Sequence, residues 1–241
     1  MKPARNKSSR KRAAKSQGPP SGSGEAPDIL QFRIWLKDVS PMVWRRVQVP
    51  ATMTLHELHG VFQVAMGWEG IHLYQFILYA VRYGSWETAA RSPDIQLGDL
   101  KLRKGSRFIY EYDLNIPWEH EVRLEDRFAA KRETAYPCCN GGDGSCPPED
   151  CGGPEAFIMQ TDYVFEPEMY DDLALAANFM EEACRTKSFA AIDDPDRAEE
   201  LREALGRIEV RASMLGVPFS RKAVNRRLHD GEHLVLMHQQ I

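Results

Sequence analysis

Apolar and polar residues alternate through Leu30, Phe32, Ile34 and Leu36 on one side and Gln31, Arg33, Trp35 and Lys37 on the other. A period of two is that of a strand with one buried face. Asp38-Val39-Ser40-Pro41 reads as a turn, and 43–49 as the partner strand of a hairpin that Pro50 ends. The period then changes. Thr54, followed three residues later by Glu57, forms a capping box. Leu55, Leu58, Val61, Phe62, Ala65 and Met66 recur at helical spacing until Gly67 stops the pattern. Further strands are predicted over 73–79, 107–113 and 118–125, the last two joined by the turn Asn115-Ile116-Pro117.

Helical spacing returns in the last third. Residues 170–184 carry Leu173, Ala176, Ala177 and Met180. Asp194 caps a second helix with Pro195 in its first turn, and Gly206 marks its predicted end. A short helix is predicted over 220–228. The pattern predicts one α+β domain over 28–241: an antiparallel or mixed β-sheet packed by an early helix, then a helical C-terminal layer. Residues 28–154 are the sheet-rich part and 155–241 mainly helical.

Composition narrows the class. An apolar fraction of 43% and a charged fraction of 27% suit an ordinary soluble protein. No run approaches the ~18 apolar residues of a membrane span, and no apolar stretch follows the basic N-terminus as in a secretory signal. A cytoplasmic location is expected, where clustered cysteines read as metal ligands or free thiols before disulfides. The net charge of −4 is uneven. Residues 1–27 carry seven Lys and Arg against Glu25, a sum of +6, which leaves −10 for the remainder. They hold too few apolar residues to fold and read as a disordered basic tail. Residues 2–15 are therefore a candidate nucleic-acid contact, to which Arg221, Lys222, Arg226 and Arg227 could add. The acidic remainder argues against a broad phosphate-binding face.

Four of the five cysteines fall in the segment 136–153, YPCCNGGDGSCPPEDCGG. Cys138, Cys139, Cys146 and Cys151 lack the paired CxxC spacing of a zinc ribbon. The economical zinc set is one of Cys138 and Cys139 with Cys146, Cys151 and His120, since adjacent residues in extended backbone point apart. His72 and Cys184 are substitutes. Free structural thiols and a disulfide are the competing readings, and a metal with four protein ligands would be structural. His120 lies in phase with Trp118, Val122 and Leu124, and His72 with Tyr74, Phe76 and Leu78. Either histidine alone is more often a core residue bonded to a carbonyl. Glu149 and Asp150, on a rigid Pro-Pro turn, have the chemistry for Mg²⁺ or acid–base work. Such residues more commonly cap a helix or bond a turn.

The segments QFRIWLKDVSPMVWRRVQVP (31–50), TLHELHGVFQVAMGWEGIHLYQF (54–76) and CPPEDCGGP (146–154) closely resemble the Ri-plasmid ORF-three family, also labelled as passenger proteins of transposable elements. LGDL at 97–100, YEYD and WEHEV within 110–122, and VNRRL at 224–228 extend the resemblance. It implies an α+β fold and association with plasmids or mobile elements, with no established activity. Some members carry a resolvase-like label, but neither a serine nor a tyrosine recombinase constellation can be assembled here. The turn Leu114-Asn115-Ile116-Pro117 departs from the Phe-Gly-Asp usual in the family.

Three functional classes remain in competition. The first is a non-enzymatic interaction module that meets a protein partner through Trp35, Trp44 and Arg46 on the hairpin, with a structural zinc as an accessory. The second is a metal-dependent hydrolase or nuclease using His72, His120, Glu149 and Asp150. The third is a DNA-binding accessory protein acting through its basic tail.

Overall fold

The computed structural model describes residues 28–238, so the basic tail expected over 1–27 lies outside the described residues. Among the described residues, seven strands form one antiparallel sheet in the order β4-β3-β5-β6-β1-β2-β7. They are β1 (Asp28–Leu36), β2 (Trp44–Pro50), β3 (Tyr74–Leu78), β4 (Val81–Gly84), β5 (Arg107–Tyr112), β6 (Trp118–Ala129) and β7 (Cys138–Asp143). Helix α1 (Leu55–Met66) lies on one face, and α2 (Gly153–Val164), α3 (Pro167–Thr186), α4 (Pro195–Met214), α5 (Arg221–His229) and α6 (Glu232–Leu236) follow the sheet. The α+β expectation, the first hairpin and the early helix are all observed.

Local chemistry explains the early elements. Alternation buries Leu30, Phe32, Ile34 and Leu36 completely or nearly so. Thr54 caps α1 through its side chain while Glu57 reaches back to the Thr54 amide, and Gly67 closes the helix in the left-handed region at φ 96°. The core joins this strand face to Leu58, Val61, Phe62 and Val64 of α1, and to Phe76, Tyr110, Trp118 and Val122 of the central strands.

Three elements differ from expectation. Residues 138–143, read as part of a cysteine loop, form an edge strand against β2. The free edge of β2 supplies the ladder, and Asn225 of α5 completes it from the other side. Asn225 accepts from the Cys139 amide at 2.7 Å and donates to the Cys139 carbonyl at 2.8 Å. Helix α4 does not end at Gly206 but runs to Met214. The cost of one interior glycine, roughly 1 kcal/mol, is offset by contacts on both sides of it: buried Ala204, and Arg207 and Arg211 bound to Asp172 of α3. On α3, Leu173 and Met180 face solvent, and the buried position is Asp172. No helix among the described residues is long and apolar enough to cross a membrane.

Candidate functional site

The Pro147-Pro148-Glu149-Asp150 turn lies beside the link between α1 and β3. Trp68 donates through its indole N–H to the Pro147 carbonyl at 2.9 Å. The Glu149 carboxylate accepts from the Glu69 amide at 2.7 Å and the Ile71 amide at 3.4 Å, and from the Tyr112 hydroxyl. Trp118 donates to the Glu149 carbonyl at 3.3 Å. Burial and the neighbouring carboxylate push the Tyr112 hydroxyl well above its usual pKa, so Tyr112 remains a donor. Glu149 therefore ties the two turns together, the commoner use of such a residue.

This turn borders a cleft of about 630 Å³, whose far wall is Ala212, Ser213, Gly216, Val217 and Pro218. Gly216 holds φ 72°, and an added Cβ would stand 1.8 Å from the Cys146 carbonyl oxygen. Only glycine lets that wall pair with Cys146 through the bridge to Val217. At the adjoining rim, His72 Nε2 lies 2.7 Å from Asp150 and Nδ1 4.0 Å from Asp113. His72 sits at this rim and not within the core face of β3, because β3 starts only at Tyr74.

Three of the four residues considered for hydrolysis thus come together: His72, Glu149 and Asp150. The fourth, His120, is fully buried at edge-on contact with Trp68. Its Nδ1 donates to the Tyr110 carbonyl at 3.3 Å, and burial holds its pKa down at about 4. It is a neutral core histidine at physiological pH. Beside it, His59 stacks on Tyr74 with ring centroids 3.8 Å apart, and both His59 and Gln63 bond the Tyr110 hydroxyl at 2.7 Å. Sequence reasoning missed this polar cluster. Its only trace is His59 and Gln63 falling beside the apolar stripe of α1.

The cysteines divide by position. Cys138 and Cys139 alternate on β7, with Cys138 Sγ 3.6 Å from Gln48 and Cys139 Sγ 3.3 Å from the Gly141 carbonyl. Cys146 is buried under the cleft, Cys151 is half-buried before α2, and Cys184 is exposed on α3. No disulfide joins them. Burial raises the thiol pKa to about 11 for Cys138 and about 12 for Cys146, so both stay protonated near neutrality. Among the described residues, no three His, Cys, Asp or Glu side chains converge as metal ligands. The three-cysteine, one-histidine set is not assembled, because β7 carries Cys138 and Cys139 along the sheet edge while His120 is enclosed by Tyr110 and Trp68. These donors do not fit a zinc ion as they stand.

Trp44 and Arg46 occupy the other sheet face. Arg33 and Arg46 lie over the Trp44 ring at 4.6 and 5.3 Å, and Arg46 Nε donates to Glu125 at 2.5 Å. The Trp44 ring extends over Gly141, whose added Cβ would meet it at 3.4 Å. Arg45, one residue away, is 1% exposed and points inward. It donates to the carbonyls of Ala65, Trp44, Asp143 and Gly144 at 2.7–3.1 Å and lies 4.5 Å from the Phe219 ring.

This architecture has known counterparts. The chain is 37% identical over 142 residues to the uncharacterised protein y4hQ of Sinorhizobium fredii (strain NBRC 101917 / NGR234), covering 54% of this chain and 69% of that protein. The crystal structure of MM3350, a protein of unknown function from Methanosarcina mazei Go1, matches 61% of this chain and 88% of its own. The TM-score is 0.54 and the identity 28%. The plasmid pRiA4b ORF-3-like protein pattern matches residues 28–188, which span the whole sheet, the Pro-Pro-Glu-Asp turn and α1 to α3. The chain belongs to the plasmid pRiA4b ORF-3-like protein family.

Proposed function

We propose that this protein is a non-enzymatic interaction module whose binding surface is the sheet face opposite α1. The observation that carries this reading is the state of that face. Its side chains bond to one another across strands: Lys37 to Glu119, Arg46 to Glu125, Arg107 to Glu121, Gln75 to Glu111, Gln48 to Gln31. Among the described residues none of these bonds reaches a helix. A broad sheet with one face packed and the other dressed in tryptophan and arginine has the composition of an interface centre. The network also holds those side chains in place before binding, which reduces the ordering cost of association.

The cleft supports a structural role better than catalysis. The Glu149 carboxylate is occupied by two amides and a hydroxyl, and His120 is sealed in the core, so neither is available as an acid or base. Zinc has no part in this reading. The test is partner capture with purified full-length protein, followed by cross-linking that maps the partner onto residues. Trp44→Ala and Arg46→Ala should each weaken a mapped complex by about tenfold or more. Unchanged binding in both, or cross-links confined to the helical side, would refute the assignment of the sheet face.

A further inference from the structure

Strand register places four arginines in one line. Arg107 of β5 stands opposite Arg123 of β6, Arg123 opposite Arg33 of β1, and Arg33 opposite Arg46 of β2. At the usual interstrand spacing the row is about 14 Å long. Like charges directly opposite one another are destabilising, so the arrangement works against folding. Only the outer two donate to carboxylates, Arg107 to Glu121 and Arg46 to Glu125. Among the described residues the middle two, Arg33 and Arg123, donate to none; Arg33 stacks on Trp44 and Arg123 is exposed.

The next line of the same face runs Ile77, Ile109, Glu121, Trp35, Trp44 across β3, β5, β6, β1 and β2. Trp35 and Trp44 are therefore direct cross-strand neighbours, two residues along from Arg33 and Arg46. Indole and guanidinium planes side by side, with Arg33 lying over Trp44, present complementary chemistry to a strand of unpaired bases and its phosphates. Carboxylates are part of the design. Glu121 and Glu125 flank the arginines, and Glu111 and Glu119 share the face. The net positive charge is small, so backbone contacts alone bind weakly and base stacking has to supply the preference for a single strand. In a duplex, moreover, the base faces are stacked away from a protein sheet.

Resting on the interaction-surface reading, we propose that this face binds single-stranded nucleic acid. The arginine row contacts the backbone, and bases stack on Trp35 and on the Arg33 guanidinium that lies over Trp44. The charge balance of the whole chain hides this site, because the four arginines come from four strands and meet only through register.

The test is fluorescence anisotropy of a labelled single-stranded oligonucleotide of about 12 nucleotides with the full-length protein, and of the matching duplex. The single strand should bind more tightly than the duplex, with log Kd changing against log salt by about 0.7 per phosphate contact. Arg33→Ala with Arg123→Ala should weaken binding at least about tenfold and flatten that slope by about 1.4. Trp35→Ala with Trp44→Ala should weaken it by about tenfold or more with little change of slope. Thermal unfolding checks each variant, and exposed Arg123→Glu serves alone if a double variant does not fold.

A full-length variant with Lys2, Arg5, Lys7, Arg10, Lys11, Arg12 and Lys15 changed to Gln separates the N-terminal charge from the face. Binding that persists there and still depends on Arg123 supports the proposal. Binding lost there but indifferent to the face variants overturns it. So does preference for the duplex, or no binding at about 50 mM salt. If no nucleic acid binds while Trp44→Ala and Arg46→Ala still abolish a mapped protein complex, this inference falls and the interaction-surface reading stands. If both fail, that reading falls with it.

Discussion

Arg45→Met is the sharpest test of how β2, the last turn of α1 and the end of β7 are held together. Arg45 is a buried cation whose bonds among the described residues all go to carbonyls, of Trp44 on its own strand, Ala65 in the last turn of α1, and Asp143 and Gly144 at the end of β7. Burial lowers its pKa, but a guanidinium stays charged, and the Ala65 carbonyl belongs to the negative end of the α1 dipole. Methionine fills similar volume and leaves these acceptors unpaired. An unsatisfied buried acceptor costs about 1–3 kcal/mol. Some of the four will regain water, and relief of guanidinium desolvation acts in the opposite direction. The net loss is therefore about 3 kcal/mol. In urea the unfolding midpoint should fall by about 1–2 M. Arg45→Lys, whose compact ammonium cannot span four carbonyls on three elements, should lose about half as much. Amide exchange should quicken in β7 and around Phe219, which stacks on the guanidinium. A midpoint within about 0.3 M of wild type for Arg45→Met would mean that the four carbonyls do not depend on the guanidinium.

His120 has a folded pKa of about 4 against 6.5 unfolded. The unfolded chain therefore takes up a proton first, and stability falls as pH drops through that window, by about 3 kcal/mol from this group. Urea unfolding at several pH values should show a shallower dependence in His120→Gln. Glu149→Ala releases the Glu69 and Ile71 amides and the Tyr112 hydroxyl. It should cost about 2–3 kcal/mol in chemical denaturation, with Tyr112→Phe milder. Gly216→Ala introduces a clash with the Cys146 carbonyl at positive φ and should cost at least about 2 kcal/mol. A thermal midpoint unchanged from wild type would count against that wall of the cleft. Because the cysteines and His120 do not converge, chelator treatment should leave the melting midpoint where it was, and a clear drop would show a metal that the donors reach by rearranging.

Features that depend on a residue and its near neighbours were legible in the chain alone. Alternation defined the buried face of β1, and the Thr54–Glu57 box and Gly67 bounded α1, because capping bonds a side chain to its own backbone. Phase also put His120 with Trp118 and Val122. Position along the chain did not reveal that Trp68 and Tyr110 would seal it away from the cysteines. Nor could it show that 138–143 is a strand, since a glycine-rich polar segment becomes one only when the edge of β2 and the side chain of Asn225 supply its hydrogen bonds. The same holds for α4 running past Gly206, and for Arg45 pointing inward next to Trp44 and Arg46 on the other face. The arginine row is the clearest case. Arg33, Arg46, Arg107 and Arg123 are unremarkable in a chain of net charge −4, and only the pairing of strands far apart in sequence brings them side by side. Interstrand register is a property of the whole sheet, fixed by the burial of its other face, and it decided which surface of this protein carries concentrated chemistry.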